Sequence, residues 1–248
     1  MRLLRGNGPL IRVGHRGAAA LAPENTLRSF EAALAQGVDA IEFDVLAVPQ
    51  GPLVLGHSLA ERRPDQPTLD AALDLLAAHD VGLHVDLKLT TRLDEVADAL
   101  DRRGLAARAV VSSFHLPSLL AIAAHAPHLR RGFTYPEDRY GVSKRAALRP
   151  AIRLGTLALR RSIVARVPAM LARADASALM LQHAVVSRAA VESAHAAGAA
   201  VWAWTVDDPV ELARLQAAGV DAVISNDPRL FAQGAEAAGA APAPRDDP

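Results

Sequence analysis

The sequence contains no cysteine, which removes disulfides, thiolate metal centres and thiol nucleophiles together. Any metal must then be held by oxygen or imidazole, and that favours a hard cation. Long apolar runs are also missing, and none approaches the ~20 residues of a membrane-spanning helix. Net charge is missing as well. With Lys+Arg 27 against Asp+Glu 27, the formal charge is +0, so no overall field draws in nucleic acid and none is expected as a partner. Met1 to Asn7 carries Arg2 and Arg5 and leads directly into the strand-like Leu10 to Val13. The continuous apolar core of a signal peptide is absent there, and a cytoplasmic location is the expectation.

What is present is alternation. Short apolar, β-branched runs alternate with Ala- and Leu-rich segments of helical period, a pattern that predicts parallel strands joined by crossover helices. Eight strands are expected, at Ile11–Gly14, Ala40–Val45, Leu83–Leu87, Ala109–Ser113, Leu129–Phe133, Ala178–Gln182, Ala200–Thr205 and Ala222–Ser225. Pro52–Gly56 reads as an extended excursion after the second strand. Helices are expected over Thr26–Gln36, Leu69–His79, Leu93–Arg103, Leu116–His125, Ser187–Ala197 and Pro209–Ala218, with a last one near Pro228–Gln233. Several end in a glycine suited to a left-handed cap, as at Gly37, Gly198 and Gly219. With 248 residues, 51% of them hydrophobic, one α/β (β/α)8 barrel of ~250 residues accounts for the chain. The expected domain is 1–233, and the aperiodic Ala/Pro-rich tail 234–248 is expected not to pack.

Charged residues fall where such strands emerge at the C-terminal rim. Glu42 and Asp44 are two apart on the second strand and therefore share a face, and Asp86 and Lys88 repeat that geometry on the next strand. Three carboxylates converging in a barrel mouth repel one another unless a cation lies between them, and an all-oxygen set suits Mg²⁺ or Ca²⁺. The plainer alternative is a structural ion-pair cluster with Arg16 and Lys88. His84, on its own, reads as a satisfied core histidine. Glu24 and Asn25 read as a turn with a helix cap at Asn25; the functional alternative is that both support the site from behind, Glu24 by fixing Arg16. Trp204 reads equally as a wall of the mouth at the seventh strand, contacting substrate, or as a buried barrel aromatic, and Gln182 and His183 are candidates for contacting an alcohol group.

The segments "VGHRGAAALAPENTLRSFEAALAQGVDAIEFDV" and "LVLGH", followed in order by "VDLKL", "VVSSF", "VWAWTVDD" and "GVDAVISNDP", resemble the glycerophosphodiester phosphodiesterase family over Ile11 to about Pro228. The resemblance implies a TIM barrel of the phospholipase-C-like phosphodiesterase type. It implies that Glu42, Asp44 and a third carboxylate at Asp86 bind a divalent cation. It further implies that His15 and His57 act as acid and base and that Arg16 and Lys88 hold phosphate. The expected reaction is hydrolysis of a glycerophosphodiester to an alcohol and glycerol 3-phosphate, by in-line displacement through a cyclic phosphate, with His15 as base and His57 as acid. Three departures stand out. The third ligand is Asp86 where the family usually has Glu, His57 is followed by Ser58 rather than Asp, and only "SLAERRPDQPT" separates His57 from Leu69 in place of a sizeable insertion. The shortened segment leaves room for an alternative substrate, a lysophospholipid or another phosphodiester. An inactive barrel that binds phosphate metabolites is the non-enzymatic alternative.

From Arg139 to Arg173 the chain has nine basic residues and no acidic one, interleaved with apolar groups. Such a segment either rests on an anionic membrane or forms a crossover helix whose charges face water. Gly155 and Pro168 argue against a single uninterrupted helix. Oligomeric state has no signal in the sequence.

Overall fold

The computed structural model describes residues 1–61, 63, 65–137 and 149–232. In chain order the strands are β1 (Ile11–Gly14), β2 (Ala40–Ala47), β3 (Leu53–Leu55), β4 (Gly82–Leu87), β5 (Ala109–Ser113), β6 (Arg130–Tyr135), β7 (Ala178–Gln182), β8 (Ala200–Trp204) and β9 (Ala222–Ser225). The helices are α1 (Leu27–Ala35), α2 (Leu69–Ala77), α3 (Leu93–Arg102), α4 (Leu116–His125), α5 (Arg149–Ala174), α6 (Arg188–Ala196) and α7 (Pro209–Ala218). Eight strands run parallel and close into a barrel, because β1 pairs with both β9 and β2. The expected excursion is β3, which folds back antiparallel on the end of β2 with Val45 opposite Leu55. That hairpin lengthens β2 by two residues beyond the expected Val45. The fold is thus a (β/α)8 barrel, as the alternation predicts.

Strand periodicity sorts the side chains. Inward positions Val13, Ala40, Val110, Met180, Trp202 and Ile224 fill the lower lumen, while outward ones such as Phe43, Val85 and Val111 pack beneath the helices. Trp202 is fully buried, and its indole Nε1 donates to the Leu3 carbonyl at 3.2 Å, so the N-terminal segment closes the bottom of the barrel. The buried Asp221 carboxylate accepts from the backbone N–H of Arg5 and Val201 and faces His195 Nε2, each within 2.9 Å, which satisfies a charge that would otherwise be costly there. The Trp202 indole and the Asp221 carboxylate at this lower end thus serve closure of the barrel.

The basic segment forms the crossover helix named as one of its two readings, and departs from expectation only in being uninterrupted. α5 is one helix of 26 residues that runs through Gly155 and Pro168. Proline at position 168 cannot donate to the Val164 carbonyl one turn back, but the Ser193 hydroxyl of α6 donates to that carbonyl at 3.0 Å and so satisfies the freed acceptor. Leu154 and Leu157 on this helix are 71% and 55% exposed. Arg139, Lys144 and Arg145 lie outside the described residues, as does the tail 234–248. At the C-terminal end the expected last helix begins at Leu230 and is helical up to Ala232, the last described residue, with the N–H groups of Leu230, Phe231 and Ala232 donating to the carbonyls of Asp227, Pro228 and Arg229; Gln233 lies outside the described residues. Among the described residues no helix is long and apolar enough to cross a membrane.

Two glycines separate backbone strain from lack of space. Gly17 has φ +86°, and a Cβ there would stand 2.3 Å from Ser29 Oγ and 2.6 Å from its carbonyl carbon; Gly37 has φ +67° with open space around it. Gly37→Ala should therefore cost only the left-handed strain of about 1–2 kcal/mol. Gly17→Ala adds a steric clash and should cost about 2–5 kcal/mol. Differential scanning calorimetry should show the larger fall in Tm for Gly17→Ala, at ~2–4 °C per kcal/mol. Equal shifts would contradict the close packing of the β1–α1 connection on α1.

Candidate active site

The upper mouth is built in layers from β1, β2 and β4. β2 and β4 are in parallel register with Glu42 beside His84 and Asp44 beside Asp86. The inward periodicity of both strands sends Glu42, Asp44 and Asp86 into one buried cluster whose ligand oxygens lie within 4.8 Å of one another. The shorter Asp86 side chain therefore still reaches the other two carboxylates. It is held there by Ser112 on β5, whose hydroxyl donates to Asp86 Oδ1 at 2.6 Å, and by Lys88 Nζ at 2.5 Å from Oδ2.

Two cations thread the cluster. Lys88 Nζ also lies 3.3 Å from Asp44 Oδ1, and Arg16 Nε lies 3.0 Å from Asp44 Oδ2. Arg16 is itself oriented by Glu24, whose Oε2 accepts from Nη1 at 2.8 Å. The expected ion pairs and the expected carboxylate cluster thus coexist. Within the buried set two cationic side chains face three carboxylates, which leaves a negative excess. A divalent cation and one singly charged phosphodiester would bring that set to neutrality, and the three buried oxygen donors fit such a hard ion.

The electrostatics agree with the geometry. Burial pushes the Glu42 carboxyl well above the usual carboxylate range, and the charges of Asp44 and Asp86 push it further. Burial alone would raise Asp44 too, but its contact with His57 and the charges of Lys88 and Arg16 reverse the effect and hold it well below that range. Burial also works against the Lys88 ammonium, yet Asp86 and Asp44 keep it above the ordinary lysine value. The same cluster thus contains one carboxyl raised by burial and by its acidic neighbours, and one lowered by its contact with His57 and by neighbouring cations.

The two histidines flank this cluster. His15 follows β1, with Nε2 3.8 Å from Glu42 Oε2, and burial followed by the Arg16 charge pushes it below the ordinary imidazole value. His57 follows β3, and the β2–β3 hairpin carries it back over Asp44, with Gly56 N–H donating to the Asp44 carbonyl. His57 Nδ1 lies 3.0 Å from Arg16 Nη2 and 3.4 Å from Asp44 Oδ2, so its orientation is set without the carboxylate that Ser58 replaces. His57 remains 41% exposed. His15, Arg16, Glu42, Asp44, His57, Asp86 and Lys88 all line one pocket, walled by Trp204 and by Phe114, which meet edge-on at 6.1 Å.

A sequence model of the glycerophosphoryl diester phosphodiesterase family matches residues 15–75 and 75–230. The chain belongs to that family. A glycerophosphodiester phosphodiesterase of Caldanaerobacter subterraneus is 24% identical over 88% of this chain and 95% of its own length. Among solved structures, a glycerophosphodiester phosphodiesterase from Parabacteroides distasonis superposes with a TM-score of 0.73 at 20% identity, covering 94% of this chain and all of the other. An Oleispira antarctica phosphodiesterase, solved with sn-glycerol 3-phosphate, gives 0.70 at 22% identity over 92% and 97% of the two chains. Family membership makes the protein an enzyme, a phosphoric diester hydrolase.

In this phosphodiesterase several groups sit otherwise than sequence spacing suggests. The cap of α1 is Thr26, which forms a capping box with Ser29, and not Asn25. Asn25 is buried at φ +56° and clasps Asp44: its Nδ2 donates to Asp44 Oδ2 at 3.0 Å, and its Oδ1 accepts from Asp44 N–H at 3.1 Å. Gln182 and His183 turn away from the pocket. Gln182 accepts from Ala184 N–H, and His183 faces Glu211 at 3.8 Å. His84 lines the pocket floor with Nε2 on Ser112 Oγ at 2.8 Å, and burial pushes it down to about 4. Ser112 and Phe114 were not singled out in the sequence, although the alternation Val110, Ser112, Phe114 along β5 was the available signal.

Asn25→Gly removes the clasp on Asp44 without adding left-handed strain. It leaves the Asp44 N–H and carboxylate each short of a buried partner, which should cost about 1–3 kcal/mol. A melting point within 1 °C of the native value (against the ~2–4 °C expected per kcal/mol) would show that the clasp carries no stability.

Proposed function

We propose that the enzyme hydrolyses glycerophosphodiesters to an alcohol and glycerol 3-phosphate, with Mg²⁺ or Ca²⁺ held by Glu42, Asp44 and Asp86. The observation that supports this most directly is the convergence of three buried carboxylates, two imidazoles, Arg16 and Lys88 on one pocket. When bound, the cation supplies positive charge to a non-bridging phosphate oxygen. Arg16 grips another oxygen through its planar fork, and Lys88 adds a point charge. Both side chains are prepositioned by carboxylates, so little rearrangement is needed to receive the phosphate.

His15 accepts the proton of the neighbouring glycerol hydroxyl as that oxygen bonds to phosphorus. The bond from phosphorus to the alcohol oxygen breaks, and His57 delivers a proton to that oxygen. Water then opens the cyclic phosphate. To deliver that proton His57 must be the imidazolium, with both ring nitrogens protonated; Asp44 Oδ2, 3.4 Å from Nδ1, accepts from that form and leaves the Nε2 proton for the alcohol oxygen. Phe114 and Trp204 give the pocket an apolar wall for the substrate carbon chain.

A second reading, a lysophospholipid substrate, draws on the exposure of His57 and on Leu154 and Leu157 standing exposed on the basic helix α5. An anionic membrane is the surface that such a helix would contact.

A coupled assay for glycerol 3-phosphate, run over glycerophosphocholine, glycerophosphoethanolamine and glycerophosphoinositol, together with an assay for choline release from a lysophosphatidylcholine, tests both readings. Glycerol 3-phosphate release from a small diester is expected, with His15→Ala lowering kcat ~10²- to 10⁴-fold. Full activity in His15→Ala would remove the assigned base, and turnover of the lysophospholipid alone would favour the second reading.

A further inference from the structure

We propose that Asp207 and Asn226 are positioning residues that lock His15 in the tautomer with its proton on Nδ1, leaving Nε2 free to accept a proton. This rests on the catalytic role given to His15 above.

The placement begins with strand register. Gly14 on β1 and Ser225 on β9 are paired, so the next residues, His15 and Asn226, leave the barrel side by side, and His15 N–H donates to the Ser225 carbonyl at 2.8 Å. Asp207 arrives from the β8–α7 connection, which is tied to β9 by Val206 N–H on the Ile224 carbonyl at 3.0 Å. Three strand ends thus bring a carboxylate, an amide and an imidazole into one line. His15 Nδ1 is 2.6 Å from Asn226 Oδ1, and Asn226 Nδ2 is 2.6 Å from Asp207 Oδ2. Asp207 Oδ1 accepts separately from Asn226 N–H at 2.8 Å and from the Ser225 hydroxyl at 3.0 Å.

Donor and acceptor chemistry then settles the direction of each bond. An ionised carboxylate only accepts, so the side-chain amide of Asn226 must turn its NH₂ toward Asp207 and its oxygen toward His15. An amide oxygen likewise only accepts, so His15 Nδ1 must carry the hydrogen. The remaining nitrogen, Nε2, has its lone pair directed into the pocket on the Glu42 side. Asp207 is exposed, but the three donors converging on it fix its geometry, and its role needs only its acceptor character.

A purely structural tie between strand ends would use the same contacts, so the test must reverse polarity while retaining shape. Asp207→Asn keeps Oδ1 for Ser225 and the Asn226 backbone but replaces Oδ2 with an NH₂. The Asn226 amide then flips, presents its own NH₂ to His15, and drives the proton to Nε2. The double variant Asp207→Asn/Asn226→Asp restores an acceptor opposite Nδ1 and a donor–acceptor pair behind it.

Nitrogen-15 NMR of histidine-labelled full-length protein should show His15 protonated on Nδ1 in the native chain, on Nε2 in Asp207→Asn, and on Nδ1 again in the double variant. In the glycerol 3-phosphate assay kcat should fall ~10²- to 10⁴-fold in Asp207→Asn, with KM nearly unchanged, and should largely recover in the double variant. Thermal unfolding should confirm that both variants fold. A native His15 protonated on Nε2, an Asp207→Asn enzyme with native kcat, or a folded double variant without recovery would overturn the proposal. A native protein that turns over no diester yet shows the Nδ1 proton would overturn the catalytic reading and leave the tautomer assignment supported.

Discussion

Mutual repulsion among Glu42, Asp44 and Asp86 is the constraint around which the upper half of the molecule is arranged. Three carboxylates buried within 4.8 Å of one another sit where water screens poorly, and nothing in an apolar core requires them. The surroundings act to hold them together despite this. Lys88 and Arg16 supply charge, Asn25 clasps Asp44 from two sides, and Ser112 anchors Asp86. Burial still pushes the Glu42 carboxyl up, and its acidic neighbours add to the effect.

The barrel makes that arrangement affordable by separating its two ends. The lower end spends its polar groups on closure: the Trp202 indole on the Leu3 carbonyl, and the Asp221 carboxylate on two backbone N–H groups with His195. Stability there frees the upper rim to carry charge. Parallel register does the rest, since strand ends that pair side by side deliver adjacent side chains from residues distant in sequence. His15 with Asn226, and Asp44 with Asp86, are both brought together in this way.

Much of this was legible in the sequence, and the rest had physical reasons for being hidden. Alternation along β2 and β4 announced that Glu42, Asp44, Asp86 and Lys88 share the inner face, because a period of two is a local property. Strand ends near Ala47 and Tyr135 ran past their expected limits because pairing partners, not composition, decide where a ladder stops. α5 crosses Pro168 because Ser193, 25 positions further along the chain, accepts the role of donor to the freed carbonyl. No local pattern around Pro168 could show that. Asn25 has the composition of a cap, and Thr26 takes the cap because Asn25 is drawn to Asp44. Gln182 and His183 sit at a strand end like the true site residues, but the turn after β7 directs them toward Ala184 and Glu211. Position at the rim was readable, and direction was set by tertiary contacts.

Cation binding to the carboxylate cluster is the claim on which the proposed chemistry rests, and isothermal titration calorimetry of Mg²⁺ and Ca²⁺ into the metal-stripped protein addresses it most directly. The account predicts one saturable ion per chain, with the two ions competing for the same site, and loss of that binding in Glu42→Gln and in Asp44→Asn. Absence of saturable binding to the native protein, or binding that survives both substitutions, would contradict it.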